Sequence, residues 1–174
     1  MHLSFLSSQR LVLNMSDDIL VRIDGEVENP IQLTFADFEG VDAASQVADV
    51  SQLDPQRKGG AVKFSALLDL AKAKASASYL GLHSSTDDFH ASIPLDPVRD
   101  SAVVIYRLDG RPLELKAGGP VRFFIPDHAA CHTDEIDECA NVKFVDHIEL
   151  TAAKGFDNRP LDDEDHAKLH DEQG

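Results

Sequence analysis

The chain has 174 residues, 43% hydrophobic and 27% charged, the size and balance of one globular domain with a real core. Its 16 basic and 31 acidic residues leave a formal charge of −15, which argues against nucleic acid or an anionic membrane as the main partner, since both require a basic surface. No run approaches the roughly 18 apolar residues of a membrane helix, and two cysteines are too few for a disulfide framework.

Residues 1–17 read as an N-terminal extension, with Met15 as an alternative start. They hold no compact apolar segment followed by a small-residue cleavage site, so a cytoplasmic protein is expected. Residues 18–156 read as the folded domain. Ile19 to Asp24 alternates, with Val21 and Ile23 on one face, and predicts a strand. Ile31 and Leu33 predict a second, and Thr34 with Asp37 a capped helical turn. Residues 46–51 fit a further strand. Leu67, Leu68 and Ala71 recur at helical spacing and predict a helix over 65–74 with Ser65 as its cap.

Two strands are expected at 78–83 and 90–93, so His83 and His90, flanking the turn, would approach each other across a hairpin. Val103 to Leu115 around Asp109-Gly110 is a second hairpin, since Asp-Gly supplies the positive φ of a tight turn. Strands at 121–125 and 142–151 follow, with His147 on the polar parity of the last. Residues 157–174 carry seven acids against Arg159 and Lys168 and read as a solvated acidic tail, with His166 and His170 on its surface. Many short strands with one good helix define a β-rich α+β single domain, short helices on mixed sheets.

The order of these motifs resembles the molybdopterin-binding oxidoreductase domain of the sulfite oxidase superfamily. The resemblance rests on "VRIDGEVENPIQLTFADF", "GGAVKFSALLDLA", "YLGLHSSTDDFHASIPL", "VVIYRLDGRPLELKAGGPVRFFIP" and "NVKFVDHIEL", with Phe144 where the family has Trp. It implies a compact domain holding a molybdenum–pterin cofactor and catalysing oxygen-atom transfer, with one cysteine thiolate on the metal. That cysteine precedes the Leu-Leu helix. Here the segment is "QVADVSQLDPQRKGG", without cysteine, and Asp49 and Ser51 stand nearest its place. Lys143 matches the lysine of the family's Val-Lys-Trp motif and is the cofactor-binding residue the resemblance carries over. The arginine often found three residues earlier is Ala140.

Both cysteines lie in "PDHAACHTDEIDECANVKF" together with His128 and His132. His128, Cys131, His132 and Cys139 fit a Zn²⁺, iron or copper site. Cys131 and Cys139 also fit a disulfide, two reduced cysteines packed as small hydrophobes, or a nucleophile at Cys131 beside His132. The residues leave these open.

The sequence thus leads to a molybdopterin-binding oxidoreductase-like domain whose partner is a pterin or related small molecule. Its oxygen-transfer activity is in question because the metal-ligating cysteine is missing. No catalytic residue follows. The reading from another class is a non-catalytic binding module of the same fold, with a Cys/His metal or disulfide clasp.

Overall fold

The computed structural model describes residues 18–127, 135–137 and 140–159. Strand β1 (Ile19–Gly25) alternates as its sequence demands, with Val21 and Ile23 fully buried. It ends at Gly25, whose φ of +91° and close approach to the Leu150 carbonyl leave no room for a Cβ. Strand β2 (Ile31–Thr34) runs antiparallel to it. The Thr34 hydroxyl accepts from the Asp37 amide while the Asp37 carboxylate accepts from the Thr34 amide, a capping box that starts helix α1 (Phe35–Glu39).

Strands β3 (Gln46–Val47) and β4 (Gly60–Lys63) pair antiparallel, and helix α2 (Phe64–Ala71) follows β4 without a loop. Two hairpin strands, β5 (Tyr79–Ser84) and β6 (Phe89–Pro94), precede a second hairpin of β7 (Val103–Leu108) and β8 (Arg111–Pro112). The chain closes with β9 (Arg122–Phe124) and β10 (His147–Thr151). One sheet has the order β2-β1-β10-β5-β6, with β1 and β10 parallel. The other runs β3-β4-β7-β8, with β9 also paired to β7. The architecture is a β-rich α+β domain.

The main core lies on the inner face of the first sheet, where Val21, Ile23, Leu80, Leu82, Ile93, Ile148 and Leu150 meet α1, α2 and β7. Phe64 packs edge-on to Phe123 at 5.2 Å, and Tyr106 stacks on Phe38 at 5.0 Å. The fully buried Tyr106 hydroxyl donates to Gln46 Oε1 at 2.9 Å, and the Gln46 amide donates in turn to the Phe38 and Val41 carbonyls. A smaller cluster of Val50, Ala61, Val103, Ile105, Leu113 and Phe124 covers the second sheet.

Three expectations need correction. The helix starts at Phe64, not after a Ser65 cap, because the Phe64 amide is already bonded to the Ala102 carbonyl and Lys63 takes the cap position. It stops at Ala71 because Lys72 turns left-handed at φ 55°, which frees Ala73 to bridge Val27. The strand expected over 46–51 is two residues long, since Asp49 caps a 3₁₀ turn at Val50–Gln52. The last strand begins at His147 and not at residue 142: Phe144 has φ 60°, which breaks the pleat and turns Val142 and Val145 to the interior.

Residues 157–159, expected in the solvated tail, are pinned to β6. Asn158 exchanges bonds with the His90 backbone, its amide donating to the His90 carbonyl and its side-chain carbonyl accepting from the His90 amide. The Asp157 carboxylate accepts from the Ser92 amide. Arg159 binds Asp157 and donates to the Glu135 carbonyl.

Candidate functional site

The resemblance would put a metal-binding thiolate in the segment 46–60, which forms β3 and a 3₁₀ turn at Val50–Gln52. The Asp49 carboxylate there accepts from the Ser51 amide at 2.9 Å. That bond, with the Ser51 hydroxyl and Lys58 nearby, holds its carboxyl below the usual carboxylate range. Asp49 is therefore an ionised oxygen anion closed by its own turn. Val50 between them is fully buried, and Ser51 is exposed. A cleft of about 360 Å³ opens beside this turn, lined by Asp49, Lys58, Gly59, Gly60, Arg107 and Asp109 among others.

Lys58 and Arg107 face Asp49 and Asp109 in this cleft, and two further arginines, Arg57 and Arg122, lie close to each other on the second-sheet side of the chain. Arg122, opposite Ile105 on β9, and Arg107, opposite Gly60 on β7, project from the same face of the second sheet as its small apolar cluster. The Arg107 side chain lies over Gly60, and a Cβ at Gly60 would collide with its Nε. Arg57 sits with its guanidinium carbon 5.1 Å from the Phe124 ring centre, a cation–π contact, and makes a long ion pair to Asp54 at 3.9 Å. Arg122 is half-buried and donates one bond, to the Ala117 carbonyl at 3.3 Å. Burial first, and the neighbouring Arg57 charge second, lower the pKa of its guanidinium. Arg122 thus has further donors without a protein acceptor among the described residues, and a like charge for a neighbour.

Lys143 is exposed and lies in the irregular stretch before β10, its Nζ 5.1 Å from the Phe144 ring centre. The Phe144 amide donates to Gly118 O at 2.8 Å, and the space beside Gly118 is filled by the Arg122 side chain. This ties Lys143 to the Arg122 neighbourhood. Phe144 pays for the connection with a left-handed backbone, a strained conformation for a bulky residue of the kind found at ligand clamps. Ala140 is fully buried. His128, Cys131, His132 and Cys139 lie outside the described residues. Among the described residues no three metal-binding side chains converge.

Arg57, Arg107 and Arg122 were not singled out from sequence as site residues. Arg122 does close the "GGPVR" motif, but an arginine in a strand gives no sign of whether it meets a carboxylate or an anion pocket. A wider groove of about 1160 Å³ along β1, β2 and α1 is lined by Asp24, Asp37, Asp42 and Asp69 against Arg22, a charge balance that repels anions.

Two packed sheets with a few short helices define a β-rich domain of the sulfite-oxidase-like type. The chain belongs to the oxidoreductase molybdopterin binding domain family, whose sequence model matches residues 58–158. Its fold is similar to the crystal structure of the sulfane dehydrogenase SoxCD from Paracoccus pantotrophus, with a TM-score of 0.58 and 18% identity over 80% of this chain. The match spans 39% of the SoxCD chain. No curated relative matches the chain.

The two ends of a molybdenum–pterin cofactor meet different answers here. The donors of Arg122, Arg57, Lys58 and Arg107 suit an anionic pterin tail, with bidentate arginine and point-charge lysine both fitting phosphate oxygens. The metal end finds no thiolate in the segment 46–60, where the Asp49 carboxylate is engaged in its own turn.

Proposed function

We propose that this chain is a pterin-cofactor-binding, oxidoreductase-like domain. Arg122 and Arg57 would hold the anionic part of the ligand, with Lys58, Arg107 and Lys143 around them. The observation that carries this is the half-buried Arg122 guanidinium, repelled by Arg57 and bonded to a single carbonyl. A cation kept in that position, with no acid bound to it among the described residues, gains most when an anion arrives. When bound, a molybdenum–pterin group supplies two-electron oxygen-transfer chemistry. The segment 46–60 offers it no thiolate, so we assign no oxygen-transfer step to this segment.

The test is expression in a host that makes the pterin, followed by molybdenum analysis and fluorescence of the released pterin. The reading expects pterin in stoichiometric amount with the wild-type chain and its loss with Arg122→Met. Molybdenum accompanying the pterin would direct attention to Cys131 and Cys139 as alternative thiolates. Wild-type protein without pterin would overturn the reading in favour of the non-catalytic module. That module is favoured by one observation of its own, the self-capped Asp49 in the cysteine-free segment 46–60. Zinc or iron without pterin would locate its clasp at His128, Cys131, His132 and Cys139.

A further inference from the structure

The outer face of the first sheet carries a row of polar side chains that the pterin reading does not use. Arg22, His147, His83 and His90 are successive cross-strand partners on β1, β10, β5 and β6. The His83 and His147 rings lie 5.0 Å apart, as do the His83 and His90 rings. His83 Nε2 stands 3.1 Å from Glu149 Oε1, and His90 Nε2 stands 2.9 Å from Asp88 Oδ1. Between the two rings, His83 Nδ1 and His90 Nδ1 face each other at 2.8 Å.

Proton counting makes this arrangement informative. An ionised carboxylate only accepts, so both Nε2 atoms must carry their protons. A neutral imidazole with Nε2–H has a lone pair on Nδ1. Two neutral rings held in this way would set lone pair against lone pair at 2.8 Å. The contact is attractive only when a proton lies between the nitrogens or a metal ion sits to one side and draws both lone pairs to itself.

We propose that His83 and His90 form a two-imidazole chelate for a divalent transition ion of the nickel or copper type, through their Nδ1 atoms. Nitrogens bound at about 2.0 Å in cis positions of a tetragonal or octahedral ion stand about 2.8 Å apart, whereas a tetrahedral ion spreads them to about 3.3 Å. The observed separation is that of the former, and equally that of a shared proton, and it excludes the tetrahedral spread. Glu149 and Asp88 supply the carboxylate–imidazole bonds that orient metal-binding histidines and raise their basicity. Gly81 belongs to the same construction, because a Cβ there would lie 2.8 Å from His83 Nε2. His147 is committed elsewhere, its Nε2 to Asp24 at 2.6 Å and its Nδ1 facing Arg22 at 3.3 Å, so water completes the coordination. A cleft of about 550 Å³, lined by both histidines, Ser85, Asp146, His147 and Phe156 among others, gives access.

The full-length chain is titrated with Ni²⁺ below one equivalent while its amide signals are followed by NMR. Paramagnetic broadening is expected to centre on residues 81–92 and 147–149, and His90→Asn is expected to abolish it. Asp88 is a largely exposed turn residue. Asp88→Asn removes one orienting carboxylate without touching the core and is expected to weaken binding about tenfold. Broadening confined to residues 128–139 or 166–170, or unchanged in His90→Asn, overturns the proposal, as does the absence of binding, which would leave the pair sharing a proton alone.

Discussion

Asp157 and Arg159 are two residues apart in sequence and act as one fastener. Arg159 reaches Asp157 Oδ2 at 2.6 Å, and Asp157 also accepts from the Ser92 amide at 3.0 Å. Burial pushes the Asp157 carboxyl up, but the Arg159 hydrogen bonds and the Ser92 amide outweigh it and hold it below the usual aspartate range. A carboxyl whose folded pKa is depressed stabilises the fold fully above its unfolded value. That stabilisation is lost as pH falls through the lower folded value. Urea unfolding of wild type and Asp157→Asn should therefore differ most near neutrality, and the gap should close below about pH 4. A gap that widens on acidification would contradict the assignment. Asp157 had the look of one more acid in a charged tail, because composition carries no information on which acid meets a buried arginine. The facing of His83 and His90, by contrast, was legible from the hairpin alone, since parity and turn length fix which residues oppose each other.

At the scale of the element, local signals performed well where the bonds are local. The Thr34–Asp37 capping box was readable because both partners sit three residues apart. Thr34→Ala is expected to cost about 1 kcal/mol in a denaturant titration, the usual worth of a cap, with no change in the sheets. The Asp109-Gly110 turn was equally legible, with φ values of 54° and 76°. Element boundaries failed where a distant strand intervened. Nothing near residue 64 in sequence reveals that the Ala102 carbonyl takes the Phe64 amide and sets the helix start. Nor does the alternation of 142–151 reveal the left-handed Phe144, which is held by Gly118 from another segment.

At the scale of the whole molecule, the strong net negative charge and the cation cluster on the second sheet coexist because electrostatics near a binding site are local. Arg122 is half-buried and repelled by Arg57. Replacing it with Met removes a half-buried cation and keeps most of its volume. We expect Arg122→Met without ligand to unfold at a denaturant concentration no lower than wild type. Its retention of pterin should fall about tenfold or more, the worth of a charge-assisted hydrogen bond of roughly 1.5–3 kcal/mol. A variant that lost stability and kept its pterin would show Arg122 to be a structural residue.

The sequence by itself determined the strand and turn order, the β-rich α+β class, the family resemblance and the absence of a cysteine from the segment 46–60. Those properties follow from periodicity, turn chemistry and residue identity, all of which act within a few positions of the chain. Tertiary structure alone decided that Arg57 and Arg122 are neighbours, that Arg159 binds across the outer face of the first sheet, and that Glu149 and Asp88 bracket a pair of facing imidazoles. Each of these joins segments whose meeting is set by strand order and register, and a binding site depends on where charges and lone pairs point once the sheets have formed.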